Sequence, residues 1–137
     1  MLVQVQLEAM IRSQSILRII DNSGGKKAKC IKVKGKSGKS VGKIGDMVVV
    51  SIKKLRQQYD KRSKAKMRKS EIYCGIIVQS KANFFGLDGK SKKFNHNSIC
   101  ITNSTGKVMS NRIFTVLPRE LRLLKWSKLG SMSKGYV

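Results

Sequence analysis

The sequence predicts a mainly β fold, a small closed β-barrel with a short helical segment at its C-terminal end. Three observations predict it: short stretches in which apolar and polar residues alternate, glycine-rich turns between them, and strong helix formers only after Pro118. Small antiparallel barrels show this pattern of many short strands joined by tight turns. The 137 residues fit one domain, assigned to residues 10–137, and residues 1–9 are treated as an N-terminal extension because Met10 can serve as an alternative start.

The first two predicted strands flank a turn. Residues 15–20 alternate and are followed at residues 21–25 by Asp-Asn-Ser-Gly-Gly, in which every residue favours a turn. Residues 27–34 form the second strand, with Ile31 and Val33 on the buried face and lysines on the other face. The outer face of this strand is therefore expected to be a row of ammonium groups.

Three further strands, a basic arm and a helix complete the predicted fold. The strand faces expected to be buried are Val48, Val50 and Ile52 in one strand, Ile72, Cys74, Ile76 and Val78 in the next, and residues 98–102 in the last. Residues 53–69 contain nine basic residues and one acidic residue. A segment with that charge cannot form core, so we expect it to protrude as a basic β-ribbon or arm. Pro118 suits a first helical turn, and residues 119–126 are strong helix formers.

The charge balance points to a polyanionic partner. Thirty basic residues stand against seven acidic ones, for a net charge of +23. Self-repulsion of this size destabilises a compact chain unless a polyanion neutralises it. No apolar run is long enough to span a bilayer, and the basic stretches lack the bulky apolar face of helices that bind membrane surfaces. We therefore expect nucleic acid as the partner and no membrane association.

One repeated motif resembles a nucleotide-binding loop but lacks its spacing. Gly-Lys-Ser occurs three times, starting at Gly35, Gly38 and Gly89. The phosphate-binding loop also requires a glycine five residues earlier, which turns the chain so that backbone N–H groups surround the phosphates. That glycine is missing in all three places. The repeats are better explained as flexible loops that approach a sugar-phosphate backbone closely.

The residues that usually carry catalysis or bind metals are too few and too scattered here. Cys30, Cys74 and Cys100 are odd in number and widely spaced, which predicts three buried, reduced thiols and no disulfide framework. The one histidine, His96, is expected in a turn between strands, at the surface or in a packing role. We therefore predict no enzyme activity, no metal site and no cofactor.

The signal for nucleic acid is distributed over many cations. Seven lysines fall between residues 26 and 39 with no acid among them, and further clusters follow in the arm and near residue 90. A merely solvated surface usually mixes both signs, whereas phosphate neutralisation needs one. The candidate RNA-binding residues are Lys26, Lys27, Lys29, Lys32, Lys34, Lys36, Lys39, Lys53, Lys54, Arg56, Lys64, Lys66, Arg68, Lys69, Lys81, Lys90, Lys92 and Lys93.

The aromatic residues indicate how the nucleic acid is recognised. Proteins that bind single strands stack bases on aromatic platforms, and the eight aromatic residues here form no such pair on one strand. Phe94 and Phe114 are expected in the core instead. Recognition of folded RNA by its shape and its phosphates is the interpretation that remains.

Several short motifs, taken in order, resemble one known family. They are Asp21-Asn22-Ser23-Gly24, Cys30-Ile31-Lys32-Val33, Ile44-Gly45-Asp46, Lys66-Met67-Arg68-Lys69, Ile76-Ile77-Val78, Asp88-Gly89, Phe94, and Arg112-Ile113-Phe114 followed by Arg119-Glu120-Leu121-Arg122. From about Met10 to Val137 the chain resembles the universal large-subunit ribosomal protein of the L-fourteen family.

The resemblance implies a structural constituent of the large ribosomal subunit with a five-stranded barrel. The implied partners are large-subunit rRNA, neighbouring proteins of the L-three and L-nineteen families, small-subunit rRNA through an intersubunit bridge, and a ribosome-silencing factor. It places a partner or intersubunit surface at Asn111, Arg112, Arg119, Arg122 and Lys125. The alternative from another class is a free-standing, barrel-type RNA-binding chaperone.

The sequence also departs from the family pattern. The arm is longer than in typical bacterial members, Ser70-Glu71 replaces its usual Gly-Asp exit, and Asn111 replaces a threonine. The residues before Asp88 and the tail at residues 131–137 also differ from the usual motifs. Together with a composition rich in lysine, isoleucine, asparagine and serine, these departures favour the large subunit of a mitochondrial ribosome in the matrix. The bacterial cytoplasm and the plastid are the alternatives.

Overall fold

Five strands close into a barrel in the order β1-β2-β3-β4-β7, and a separate two-stranded sheet pairs β5 with β6. A computed structural model describes residues 11–35, 41–56, 68–85, 89–110, 112–123 and 126–137. The elements are β1 (Ile16–Ile19), β2 (Gly25–Val33), β3 (Met47–Leu55), β4 (Ile72–Gln79), β5 (Phe84–Phe85), β6 (Ser91–Lys92), β7 (Ser98–Thr102), α1 (Glu120–Leu123) and α2 (Ser127–Met132). The predicted fold class, a five-stranded closed barrel with a C-terminal helical segment, is confirmed.

The barrel closes where β1 meets β7, the one parallel pair among its five joints. This joint is short, with the pairs Arg18↔Ser98 and Ile19↔Ile99. The fully buried Asp21 reinforces it directly after β1. Its carboxylate accepts hydrogen bonds from the Ser23 amide at 3.2 Å and the Ile101 amide of β7 at 2.8 Å, and also from the Ser23 hydroxyl. The turn predicted at residues 21–25 therefore also joins the first and last strands of the barrel.

The barrel interior is apolar, as the alternation of β3 predicts. Val48, Val50 and Ile52 point inward and are fully buried, which confirms the predicted face. The other members of this cluster are Ile11, Leu17, Ile19, Ala28, Cys30, Val33, Ile77, Ile99 and Ile101. Burial of branched aliphatic side chains on this scale is the main favourable term in the folding of a small domain.

A second core lies outside the barrel, on the outer face of β4 and β7. Residues 113–123 and 126–137, here called the C-terminal cover, pack over this face. The buried cluster consists of Ile20, Ile76, Val78, Cys100, Ile113, Leu117, Leu121 and Leu129. Strand β4 is therefore buried on both faces, with Ile76 in this core and Ile77 in the barrel. Of the predicted β4 face, Ile72 is 66% exposed because it lies beyond the cover.

Backbone hydrogen bonds and one aromatic ring hold the C-terminal cover in place. The Phe114 amide donates to the Ile20 carbonyl at 2.9 Å, and the Trp126 indole N–H donates to the Gly45 carbonyl at 2.9 Å. Gly130 leaves room for the Tyr136 ring, since a Cβ there would lie 1.7 Å from the phenolic oxygen. Of the helix predicted at residues 119–126, the structure shows α1; Trp126 lies in a turn, and the second short helix, α2, begins after the predicted range. None of the helices in the described ranges has the length and apolar character to cross a membrane.

The alternation predicted for β2 fails at one point. Ile31 is 43% exposed, whereas the pattern placed it on the buried face with Val33. The pairing register explains the difference: Cys30 pairs with Val50 and Lys32 with Val49, so Ile31 is an extra residue in a β-bulge. A bulge shifts the alternation by one residue. Cys30, not Ile31, therefore fills the interior.

The first part of the predicted basic arm belongs to a strand of the barrel wall. Residues 53–55 belong to β3, and the Ser70 amide donates to the Ile52 carbonyl at 2.7 Å, so the base of the arm continues the pairing of β3 with β4. Residues 57–67, where the predicted ribbon falls, lie outside the described residues.

Candidate nucleic-acid interface

Two adjacent β-bulges place four lysines on the outside of the barrel. Gly25 pairs with Leu55, and the next pair is Lys27↔Lys54, so Lys26 is extra on β2. The pair after that joins Ala28 to Ile52, so Lys53 is extra on β3. Bulges of this kind let two consecutive side chains face the same way. Lys26, Lys27, Lys53 and Lys54 are all exposed.

The register also aligns cations across three strands. Arg18 of β1 pairs with Lys27 of β2, and Lys27 pairs with Lys54 of β3. Like charges directly opposite each other on neighbouring strands destabilise a sheet. The arrangement becomes favourable when phosphates lie over it. We call Arg18, Lys26, Lys27, Lys53 and Lys54 the cationic face.

A cavity of about 440 Å³ opens beside this face. It lies where the short β1–β7 joint ends, between β1, the β2 bulge, the loop after β4 and the loop before β7. Its lining residues are Ile16, Leu17, Arg18, Lys26, Lys27, Lys81, His96 and Asn97. Among the described residues, the lining thus brings together four cations and no acid.

Asn97 fixes the two sides of the cavity relative to each other. Its side-chain oxygen accepts a hydrogen bond from the Lys81 amide at 2.8 Å, and its backbone carbonyl accepts one from the Arg18 amide at 2.9 Å. The exposed His96 precedes it, in the turn that the sequence predicts. Ile16, Arg18, His96 and Asn97 were not among the predicted site residues, because only barrel closure brings residues 16–18 and 96–97 together.

Arg56 lies at the edge of the cationic face but is occupied within the protein. Its guanidinium donates to the Ile19 carbonyl at 3.2 Å and lies 5.0 Å from the centroid of the Phe114 ring. A cation over an aromatic face is attracted by the ring quadrupole. The expectation that Phe114 belongs to the core is wrong, since it is 36% exposed. Phe114 instead faces Arg56, and Phe94 is only half-buried.

The other predicted site residues differ in their exposure and in their contacts. Exposed within the described ranges are Lys32, Arg68, Lys69, Lys81, Lys90, Lys93, Arg112 and Arg119, while Lys29 and Lys34 are half-buried. Lys92 bridges Glu120 at 3.2 Å and reaches the Val137 carbonyl at 3.4 Å, so it holds the C-terminal cover. Six of the predicted residues lie outside the described ranges: Lys36, Lys39, Lys64, Lys66, Asn111 and Lys125. Arg122 belongs to α1, and only its backbone is described.

The thiols are free, but they are not all buried. Cys30 and Cys100 are buried, whereas Cys74 is half-buried, which corrects the expectation of three buried thiols. Burial raises the pKa of the Cys30 thiol; burial and the nearby Asp21 carboxylate raise that of Cys100 well above its ordinary value. The described residues contain no group of three or more His, Cys, Asp or Glu side chains placed to hold a metal ion.

The fold and this surface define a class: a small basic β-barrel protein with a cationic face suited to a polyanion. Comparison with known families matches residues 10–137 to the family described as Ribosomal protein L14p/L23e. The chain is also similar to the large ribosomal subunit protein uL14 of Carsonella ruddii (strain PV), with 38% identity over 128 residues covering 93% of this chain and 100% of the relative. The chain belongs to the ribosomal protein L14p/L23e family, whose members are structural constituents of the large ribosomal subunit.

Proposed function

We propose that the chain is a structural constituent of the large ribosomal subunit and that its cationic face binds large-subunit rRNA. The main support for this binding site is the pair of bulges, which exposes Lys26 and Lys27 beside Lys53 and Lys54. Directly opposed cations repel each other, and phosphates lying over them remove that repulsion. Each lysine that meets a phosphate releases condensed counterions, which makes binding favourable.

The mode of recognition follows from the shape of this face. It lies on the outside of a closed barrel, and none of its five residues is aromatic, so bases have no stacking platform there. Phosphates and 2′-hydroxyls of folded RNA are accessible without unstacking. The face is therefore suited to the backbone of a folded rRNA segment.

A second surface is proposed for partners other than this rRNA. Arg112 is exposed directly before the C-terminal cover, and Arg119 is exposed within it. With Asn111, Arg122 and Lys125 they form the surface proposed for the intersubunit bridge to small-subunit rRNA and for a ribosome-silencing factor. Proteins of the L-three and L-nineteen families are the neighbours proposed within the large subunit.

The compartment proposed is the mitochondrial matrix. The amino-acid composition and the departures from family motifs favour it. The similarity to a protein of the bacterium Carsonella ruddii is consistent instead with a bacterial cytoplasm. Fractionation of the source cells separates the two. Co-purification with the mitochondrial large subunit supports the proposal, and recovery with cytoplasmic ribosomes contradicts it.

Sedimentation through a gradient tests the ribosomal role and the face together. The wild-type chain is expected to migrate with the large subunit and to resist a salt wash that removes loosely held basic proteins. Replacing Lys26, Lys27, Lys53 and Lys54 with glutamine should move the chain to light fractions. The matched control replaces four exposed cations elsewhere, Lys43, Lys107, Lys128 and Lys134, and should still sediment with the subunit. Wild-type protein found only in light fractions would favour the free-standing chaperone instead.

A further inference from the structure

The cavity beside the cationic face has features that binding to a phosphate backbone does not use. A backbone lying over the face needs only exposed cations, but this site is concave and encloses about 440 Å³. Small-ligand sites have volumes of roughly 300–1,000 Å³. The site therefore has room for one small polar molecule or one residue of a polymer, but not for a duplex.

The reason for the cavity lies in the strand pairing. Strand β1 pairs with β7 only through Arg18 and Ile19, so the earlier part of β1 has no strand beside it on that side. The loop before β7 approaches it through the hydrogen bond from the Arg18 amide to the Asn97 carbonyl. The opening is thus a fixed consequence of how the barrel closes.

The lining combines two kinds of surface. One part is apolar: Ile16 is 56% exposed on the outer side of β1, beside the imidazole-bearing turn at His96. The other part is cationic and consists of Arg18, Lys26, Lys27 and Lys81. An exposed isoleucine and an imidazole next to four cations suit a molecule that has both an unsaturated ring and a phosphate.

Other ligand classes fit this lining less well. A metal ion needs carboxylate, thiolate or several imidazole ligands, and the described lining offers one imidazole among four cations that repel it. Inorganic phosphate would use the cations but leave the exposed Ile16 uncovered. A nucleotide uses both parts of the lining.

Asn97 adds a directional group. Its side-chain oxygen is taken up by the Lys81 amide at 2.8 Å, so the NH₂ group of the same amide is the part that can donate to a ligand. Carbonyl oxygens and ring nitrogens on nucleobase edges accept such bonds. In RNA these edges are accessible to side chains mainly where the nucleotide is unpaired and turned out of the helix.

We propose that this cavity takes one unpaired nucleotide of RNA, with the base against Ile16 and His96 and the flanking phosphates at Lys26, Lys27, Arg18 and Lys81. This inference rests on the proposed function, because the same RNA must lie over the cationic face. It adds a preference that the face alone does not provide: RNA with a single extruded nucleotide binds better than the same RNA fully paired.

Fluorescence anisotropy with the full-length chain tests this preference. The probes are a synthetic hairpin with a single-nucleotide bulge and the same hairpin fully paired, at one fixed salt concentration. The wild-type chain is expected to bind the bulged hairpin about tenfold more tightly, near the low end of the effect of stacking one base on a ring such as that of His96. Ile16→Ser and His96→Ala should each reduce that ratio toward one without weakening binding to the paired hairpin.

The control variant is Ile72→Ser, which changes an isoleucine of the same exposure class on β4, away from the cavity. It should leave the ratio unchanged. Equal wild-type affinity for the two hairpins would overturn the cavity inference while leaving the proposed RNA binding intact. No binding to either hairpin would overturn both.

A competition experiment separates the two sources of a nucleotide. Adenosine monophosphate at millimolar concentration should displace the bulged hairpin weakly or not at all, because it lacks the neighbouring phosphates. Displacement at micromolar concentration would make the cavity a site for a free nucleotide and would contradict the proposal. Since Ile16 and His96 are exposed, thermal melting of both variants should match that of the wild type.

Discussion

The outer surface of the barrel has two halves that the same strand pattern makes very different. On β4 and β7 the outward residues Ile76, Val78 and Cys100 are apolar, and the C-terminal cover buries them. On β2 and the end of β3 the outward residues include Lys26, Lys27, Lys53 and Lys54, and the described chain leaves these four exposed. One half is therefore completed by the protein's own chain, whereas the other half is left for a partner.

The two halves therefore contribute to different properties: one to the stability of the fold, the other to the binding of a polyanion. Burial of Leu117 and Leu121 against β4 supplies hydrophobic stabilisation inside the molecule. The opposed cations Arg18, Lys27 and Lys54 have the reverse effect, since they repel each other until a polyanion arrives. Stability should therefore respond mainly to the covered half, and RNA affinity mainly to the cationic half.

The largest effect is expected from opening the covered half. Leu117 is fully buried between the cover and the barrel, so Leu117→Ala should lower the free energy of unfolding by about 2–5 kcal/mol. Urea denaturation measures it. The matched control is Val116→Ala, at the adjacent residue that is 36% exposed, and its effect should stay below about 0.5 kcal/mol. Equal losses for the two variants would mean that the cover is not a second core.

The next effect concerns the cationic half. Replacing Lys27, Lys53 and Lys54 with glutamine should reduce the slope of log affinity against log salt by about 2 to 3, since each phosphate contact contributes about 0.7–0.9. Binding of an rRNA fragment at several salt concentrations measures the slope. The control replaces Lys107, Lys128 and Lys134, which carry the same charge elsewhere on the surface. A slope that changes equally in both variants would show that net charge alone matters.

High pH should weaken both cores through their thiols. The raised pKa values of Cys30 and Cys100 mean that the folded protein retains protons that the unfolded chain loses. Their contribution is fully present at pH values below the ordinary cysteine pKa of about 8.5, and it is lost as the pH rises from there toward the folded pKa values. We therefore expect the free energy of unfolding to fall as the pH rises above about 8.5, measured by urea denaturation at successive pH values.

The control for the pH effect is the double variant Cys30→Ala and Cys100→Ala. It starts from a lower stability, but its free energy of unfolding should fall less steeply between pH 8.5 and 10 than that of the wild type. An unchanged steepness would assign the alkaline loss to other groups. Tyr73 is a candidate, because burial and its hydrogen bond to Glu71 raise the pKa of its phenol.

The smallest effect is expected where the two halves meet. Arg56→Lys keeps the charge but removes the planar group that lies over Phe114 and donates to the Ile19 carbonyl. The free energy of unfolding should fall by about 1 kcal/mol, while the salt slope of RNA binding should stay as in the wild type. A changed slope with unchanged stability would instead place Arg56 among the phosphate contacts.

Much of the fold follows from local patterns. The alternation of Val48, Val50 and Ile52 predicts β3 and its inner face because no bulge interrupts the strand there. The prediction for Ile31 was wrong because a bulge depends on the partner strand, which a local pattern does not contain. The predicted helix at residues 119–126 covers α1, but Trp126 lies in the turn before α2. Its indole N–H donates to the Gly45 carbonyl there, and a local sequence pattern does not contain this distant contact.

The site could be predicted only in part, for a related reason. Composition and charge runs identify lysines, and Lys26, Lys27, Lys53 and Lys54 do lie together. The same runs cannot find Arg18, which has no cationic neighbour in the sequence and joins the face through strand register. His96 and Asn97 reach the cavity only when β7 closes on β1, across about eighty residues of chain.

The position of the C-terminal cover in the chain has a consequence for synthesis. Its residues leave the ribosome after β7, so the apolar outer face of β4 and β7 is exposed before the whole segment that hides it has emerged. At synthesis rates of about 5–20 residues per second, this interval lasts on the order of seconds. During that time a newly made chain presents lysines on one side and bare aliphatic side chains on the other. The nascent protein is therefore prone to aggregate during this interval, and we expect a chaperone or the growing ribosomal particle to cover its apolar surface.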